Sequence, residues 1–87
     1  MTHLSEHHRV TLERIARHPT THNLEWNDVL GLVREVADVH EAHDGTFRVD
    51  LGGERLFLTR PRHKDVGEQM ILDLRTLFRS AGLLAND

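Results

Sequence analysis

Two glycine-containing pairs and the residues between them restrict the possible folds of this chain more than any other feature. Thr46–Leu51 alternates strictly between polar and apolar side chains, which is typical of a β-strand with one buried face. Asp44-Gly45 precedes this segment and Gly52-Gly53 follows it. Such pairs occupy two-residue hairpin turns, in which both positions favour a positive φ. The sequence therefore predicts a three-stranded antiparallel sheet, with its other strands at residues 38–43 and 54–60.

Three helices are predicted around this sheet, because apolar residues recur there every three or four positions. A front helix covers about residues 5–17 and ends before Pro19, since the residue preceding a proline disfavours helical angles; residues 20–23 then form a loop. A second helix has Asn27 as its N-cap. A third covers about residues 66–81, with Asp65 as its cap and Gly82 as its stop. The resulting order, α-α-β-β-β-α, predicts an α+β fold with the helices packed on the sheet.

Length and composition fit one small domain. With 87 residues, the chain has room for a single core, so we expect one domain over residues 1–87. The absence of cysteine excludes disulfides and zinc–thiolate sites, and it favours a reducing compartment. The first nine residues lack the apolar stretch of a secretory signal, and no window is apolar enough to span a membrane. We therefore expect a cytoplasmic protein that needs no membrane and no cofactor.

Charge is distributed unevenly along the chain. The net charge of −3 argues against a general attraction to nucleic acid. Residues 24–44 nevertheless hold six carboxylates against Arg34 alone, whereas residues 48–64 hold five cations against two carboxylates. The folded domain is therefore expected to have an acidic part and a basic part.

Several short motifs resemble the HicA toxins. Pro61-Arg62-His63 and the segment from Leu74 to Leu83 resemble the closing strand end and helix of that family. Trp26-Asn27-Asp28-Val29-Leu30 resembles the start of its first conserved helix. Arg9, Leu12, Ile15 and His18-Pro19 match a subgroup with an extra front helix, so the resemblance covers about residues 8–83, with a core at about residues 24–83. It implies a fold like that of double-stranded-RNA-binding domains, RNA as substrate and a HicB-like antitoxin as partner.

One motif departs from the family. HicA members with ribonuclease activity carry Gly-Ser-His at the start of the middle strand, whereas this chain has Gly45-Thr46-Phe47. Phenylalanine can neither accept a proton from a 2′-hydroxyl nor donate one to a leaving oxygen. We therefore expect a non-catalytic HicA-like domain that binds RNA or a partner protein.

A residual ribonuclease stays open as an alternative through two other histidines. His63 matches the family's Pro-x-His step and lies between two basic residues, after the third strand. His43 precedes the first hairpin turn, where it is predicted to lie across from Thr46. Either imidazole has the chemistry that Phe47 lacks.

The predicted binding surface combines the outward face of the sheet with the loop after its third strand. Arg48, Arg55 and Phe57 point outward, a combination that suits single-stranded RNA and equally suits another subunit, including a second copy of the chain. Asp50 and Glu54 are placed to pair with these arginines on a solvated face instead. The loop adds Arg60, Arg62, His63 and Lys64.

The eight histidines do not form a metal site in this interpretation. His3 and His7 have helical spacing but lie near the start of the chain, without a carboxylate in a fixed place beside them. His18 and His22 lie on either side of Pro19, so helical spacing does not apply to them. Scattered, solvated histidines explain this pattern better than a set of ligands, and no metal is expected.

Overall fold

The computed structural model describes residues 4–17 and 23–84. Six elements follow one another along the chain: α1 (Glu6–Ala16), α2 (Trp26–Val36), β1 (Asp38–Glu41), β2 (Thr46–Leu51), β3 (Glu54–Thr59) and α3 (Glu68–Ser80). This order confirms the predicted α+β arrangement. The His18-Pro19 step and most of the predicted loop at residues 20–23 lie outside the described residues.

The strands form one antiparallel sheet in the order β1-β2-β3. Val49 lies between Val39 and Leu56 on the neighbouring strands, and Phe47 lies beside Leu58. Phe47 and Val49 are fully buried and Leu58 is almost so. The alternation predicted for β2 is therefore confirmed, because its apolar positions all face the core.

The helices form the other layers of the domain. α2 contacts β1 and α3 contacts β3, so the two helices cover the apolar face of the sheet, and α1 packs on both of them. The Trp26 ring of α2 meets the Phe47 ring edge-on, with 5.3 Å between ring centroids. Burial of apolar side chains from both layers in one core supplies the main stabilisation of such a fold.

A buried arginine fastens α1 to α3. Arg75 is only 5% exposed; its Nε donates to the carbonyl of Ile15 and its Nη2 to that of Arg17, both at 3.0 Å. These carbonyls lie at the C-terminal end of α1, where helical hydrogen bonding leaves them without a partner. The guanidinium charge also suits the negative end of the helix dipole.

α2 and α3 begin at different residues than predicted. α2 begins at Trp26 with Glu25 as N-cap, rather than after Asn27, and α3 begins at Glu68 with Gly67 as N-cap, rather than at residue 66. The cause is a short antiparallel pairing of residues 24–26 with residues 64–66. Trp26 N donates to Lys64 O at 2.7 Å, and Val66 N donates to Leu24 O at 2.9 Å. This pairing holds residues 64–66 extended and supplies a backbone partner at the start of α2, so neither predicted side-chain cap is needed.

The first hairpin turn also differs from the prediction. Among the described residues only glycines have positive φ, so Gly45 (φ +86°) adopts this conformation while Asp44 does not. Gly45 N donates to Ala42 O, and Ala42 N donates to Thr46 O, which defines a three-residue loop. Asp44 Oδ1 accepts from Thr46 N at 3.0 Å, and this bond lowers the pKa of the Asp44 carboxyl. The loop spares Asp44 the strained left-handed conformation and ends β1 at Glu41 rather than at residue 43.

The second hairpin turn leads to a stability prediction. Gly52 and Gly53 have φ values of +59° and +82°, as a two-residue type I′ turn requires. A Cβ on Gly52 would lie 3.2 Å from the Cβ of Ala81, whereas one on Gly53 would meet open space. We expect Gly53→Ala to cost about 1 kcal/mol of backbone strain and Gly52→Ala to cost about 2 kcal/mol, in urea unfolding. Equal losses would contradict the tight contact between this turn and the end of α3.

Candidate functional site

The outward face of the sheet carries two rows of functional side chains. His40, Arg48 and Phe57 stand side by side on the three strands, and Asp38, Asp50 and Arg55 form the next row. The ring of Phe57 points away from the core, with the residue 61% exposed. The predicted outward orientation of Arg48, Arg55 and Phe57 is therefore confirmed.

Both arginines of this face form ion pairs with one carboxylate, that of Asp50. Arg55 Nε donates to Asp50 Oδ1 at 2.8 Å, and Arg48 Nε lies 3.3 Å from Asp50 Oδ2. The hydrogen bond from Arg55, followed by the charges of both arginines, lowers the pKa of the Asp50 carboxyl, so Asp50 carries its negative charge at neutral pH. The two arginines and the two aspartates, Asp38 and Asp50, together carry no net charge (+2 − 2 = 0). The face is therefore a neutral surface with an exposed aromatic ring, rather than a basic patch.

The loop after β3 has a different character. We call residues 60–64 the basic loop; its cations are Arg60, Arg62 and Lys64, and all three are exposed. Within residues 4–17 and 23–84, none of the three has a carboxylate within ion-pair distance. Glu25 and Asp65 lie at the base of the loop, where they weaken the positive electrostatic potential. Neither forms an ion pair with a cation of the loop. Cationic side chains left free in this way are available to an anionic ligand.

Contacts at both ends hold the basic loop in place. The Arg60 guanidinium carbon lies 5.5 Å from the Phe47 ring centroid and 5.9 Å from that of Trp26, both within cation–π range. The other end is held by the hydrogen bond from Trp26 N to Lys64 O. Pro61 further restricts the backbone between them. The chain therefore presents Arg62 and His63 on a short segment anchored to the core.

The two candidate catalytic histidines lie at the same end of the sheet. β1 ends, β2 begins and β3 ends there, so His43 in the first hairpin loop and His63 in the basic loop are near one end of the sheet. The prediction that His43 lies across from Thr46 is wrong, because the three-residue loop places Ala42 in that position. Neither imidazole hydrogen-bonds to a residue of the described chain, although a general base is normally oriented by such a partner.

Phe47 is the residue that the resemblance to HicA toxins aligns with the histidine of active members. Its side chain has no exposed surface and packs against Trp26 beneath Arg60. The position therefore serves the core, as the alternation of β2 predicts, and it has no access to an RNA backbone.

Sequence reasoning missed the link between the start of α2 and the basic loop. The Trp26 ring and its backbone N–H both contact the segment after β3, which the sequence motifs do not indicate. The sequence does contain both partners, since an aromatic residue lies at the predicted start of the second helix and Arg60 lies at the predicted end of the third strand. Nothing in the sequence indicates that the two meet. Only the folded chain brings together residues that are about 35 positions apart.

His7 and His8, the described histidines near the start of the chain, belong to no cluster of potential metal ligands among described residues. The expectation that no carboxylate is fixed beside His7 is wrong: His7 Nε2 lies 2.9 Å from Asp28 Oδ1, so this side chain joins α1 to α2. No group of three or more potential ligands occurs among the described residues, and His3, His18 and His22 lie outside them.

Comparisons with known proteins assign neither a family nor a function to this chain. No protein-family model, no curated protein and no solved structure matches this chain. The resemblance to HicA toxins therefore rests on the short sequence motifs alone. None of the described helices has the length and apolar character needed to cross a membrane.

Proposed function

We propose that this chain is a non-catalytic, HicA-like RNA-binding domain in which the basic loop holds the phosphate backbone. The observation that carries the proposal is the contrast between two groups of cations. Arg48 and Arg55 on the sheet both form ion pairs with Asp50, whereas Arg60, Arg62 and Lys64 are free of ion pairs with described residues. RNA phosphates would bind where positive charge is not already compensated.

The geometry of the basic loop supports this proposal. An anchored loop loses less conformational entropy on binding than a mobile one, so its contacts contribute more fully to affinity. Phe57, on the neighbouring face, offers a ring on which an unpaired base can stack. The small number of free cations and the net charge of −3 imply moderate affinity that depends on salt.

The absence of catalysis is part of the proposal. The family's catalytic position is filled by buried Phe47, and His43 and His63 lack an orienting partner among described residues. The ribonuclease alternative predicts that the chain cleaves RNA and that His63→Ala abolishes cleavage. The present proposal predicts an intact RNA ligand after prolonged incubation.

The decisive experiment measures binding of a short fluorescent RNA hairpin at two salt concentrations. If three phosphates are contacted, affinity should fall about 20- to 40-fold between about 50 and 200 mM salt. Arg62→Gln combined with Lys64→Gln removes two of the three contacts, so the same change in salt should then cost only about threefold. Binding at low salt should also weaken at least about tenfold.

A matched variant separates position from net charge. Arg34→Gln with Arg55→Gln also removes two positive charges, but these arginines are paired with Glu41 and Asp50. We expect this control to bind RNA within about twofold of the unmodified chain. Equal weakening in both variants would refute the basic loop as the site, and absence of binding at low salt would refute RNA as the ligand.

A further inference from the structure

β3 is an edge strand whose outer backbone groups have no partner in the described chain. The sheet ends at β3, and no backbone hydrogen bond from residues 54–59 to another described segment exists apart from the β2 ladder. The two-residue turn makes Leu51 and Glu54 a hydrogen-bonded pair, so Glu54, Leu56 and Leu58 bond to β2. Arg55, Phe57 and Thr59 consequently direct their N–H and C=O groups outward. Exposed edges of this kind accept additional strands.

A groove lies beside this free edge, between β3 and α3. Leu56 and Leu77 provide apolar surface in the groove, and Asp73, Thr76 and Ser80 line it from α3, at positions that share one side of the helix. Glu54 adds a second carboxylate. Arg55 also lines the groove, but its Nε donates to Asp50 Oδ1 at 2.8 Å, which directs its charge toward the outward face.

The charge of the groove selects the kind of occupant. Neither Glu54 nor Asp73 forms an ion pair with a described residue, although Asp73 Oδ1 accepts a hydrogen bond from Gln69 Nε2 at 2.9 Å. A basic side chain on the ligand would therefore be attracted to these carboxylates.

We propose that the free edge of β3 and the adjoining groove bind an extended, basic segment of a partner protein as a fourth strand. The N–H and C=O groups of Arg55 and Phe57 form the backbone hydrogen bonds. Alternate side chains of the ligand are basic and enter the groove, where their apolar stems pack on Leu56 and Leu77 and their charged ends reach Asp73. The remaining side chains pack against the exposed ring of Phe57. This is strand addition, in which the backbone supplies affinity and the pockets supply specificity.

The test uses a capped six-residue peptide that alternates valine with lysine, titrated into the full-length, isotope-labelled chain. We expect saturable shifts of the Arg55 and Phe57 backbone amide signals, slower hydrogen exchange at both, and a dissociation constant below about 5 mM. A matched peptide that alternates valine with glutamate should bind at least about fivefold more weakly. Absence of binding by the lysine peptide, or equal binding of both peptides, would overturn the proposal.

A proline substitution isolates the backbone contribution. Arg55→Pro removes the outward N–H without breaking a bond to β2, and edge strands tolerate proline in that orientation. Arg55→Ala keeps the N–H and removes the same side chain. We expect Arg55→Pro to bind the lysine peptide about two- to tenfold more weakly than Arg55→Ala, at unchanged circular dichroism. Should Arg55→Pro unfold, Asp73→Asn replaces it as the decisive variant, with an expected weakening of about twofold or more.

Two controls keep this result separate from RNA binding and self-association. The variant with Arg62→Gln and Lys64→Gln should bind the lysine peptide as the unmodified chain does, even if RNA binding fails. Broadening of the Arg55 and Phe57 signals with protein concentration alone would identify a second copy as the occupant and overturn the proposal.

Discussion

Phe47→His is expected to lower the free energy of unfolding by about 3 kcal/mol and to create no ribonuclease activity. The substitution restores the residue type that the resembled family uses for catalysis. In this chain, however, the side chain is fully buried and contacts the Trp26 ring at 5.3 Å between centroids. An imidazole there loses apolar contact and places a polar ring in the core without a hydrogen-bonding partner.

The size of this effect is large for so small a domain. A stability of about 0.05–0.15 kcal/mol per residue implies about 4–13 kcal/mol for the whole chain. Urea unfolding followed by circular dichroism would measure the loss, with Phe47→Leu as the control. Leucine keeps the position apolar and should cost only about 1–1.5 kcal/mol. A histidine variant that is as stable as the original chain and cleaves RNA would restore the toxin interpretation and remove the basis for a non-catalytic domain.

Arg75→Met is the second substitution with a large expected effect, a loss of about 3 kcal/mol. Methionine retains much of the apolar stem, so the loss comes chiefly from the two hydrogen bonds to Ile15 O and Arg17 O. Charged donors contribute about 1.5–3 kcal/mol for each such bond, and their removal leaves the carbonyls at the end of α1 unpaired. Arg75→Ala adds an unfilled space and should cost about 1 kcal/mol more.

The location of the change distinguishes this role from general core packing. Hydrogen exchange should accelerate first in α1, because Arg75 joins that helix to α3. Arg34→Met is the matched control: Arg34 is exposed, its nearest ion-pair distance is 3.7 Å to Glu41, and its replacement should change stability by less than about 0.5 kcal/mol. Buried charges can sometimes be replaced by apolar residues without loss. Unchanged stability of Arg75→Met would therefore show that water satisfies the α1 carbonyls equally well.

The candidate site could be only partly predicted from the chain. The outward positions of Arg48, Arg55 and Phe57 follow from alternation, because a strand turns successive side chains to opposite faces. Their pairing with Asp50 is only one outcome that the sequence allows, since the choice between an ion pair and a free cation depends on side-chain conformation in the folded sheet. The distinct character of the basic loop, which has no acidic residue of its own, appears only when the nearby carboxylates are placed.

Features that depend on neighbours along the chain follow from local sequence alone. These are the α+β class, the order of elements, the buried face of β2 and the glycine turn at residues 52–53, all set by local periodicity and backbone preference. The tertiary structure decided the start of α2 and α3, the anchoring of the basic loop by Trp26, the link from Arg75 to α1 and the groove beside β3. Each of these joins segments that are distant in sequence, and the energy of such contacts depends on distances that exist only after the helices have packed on the sheet.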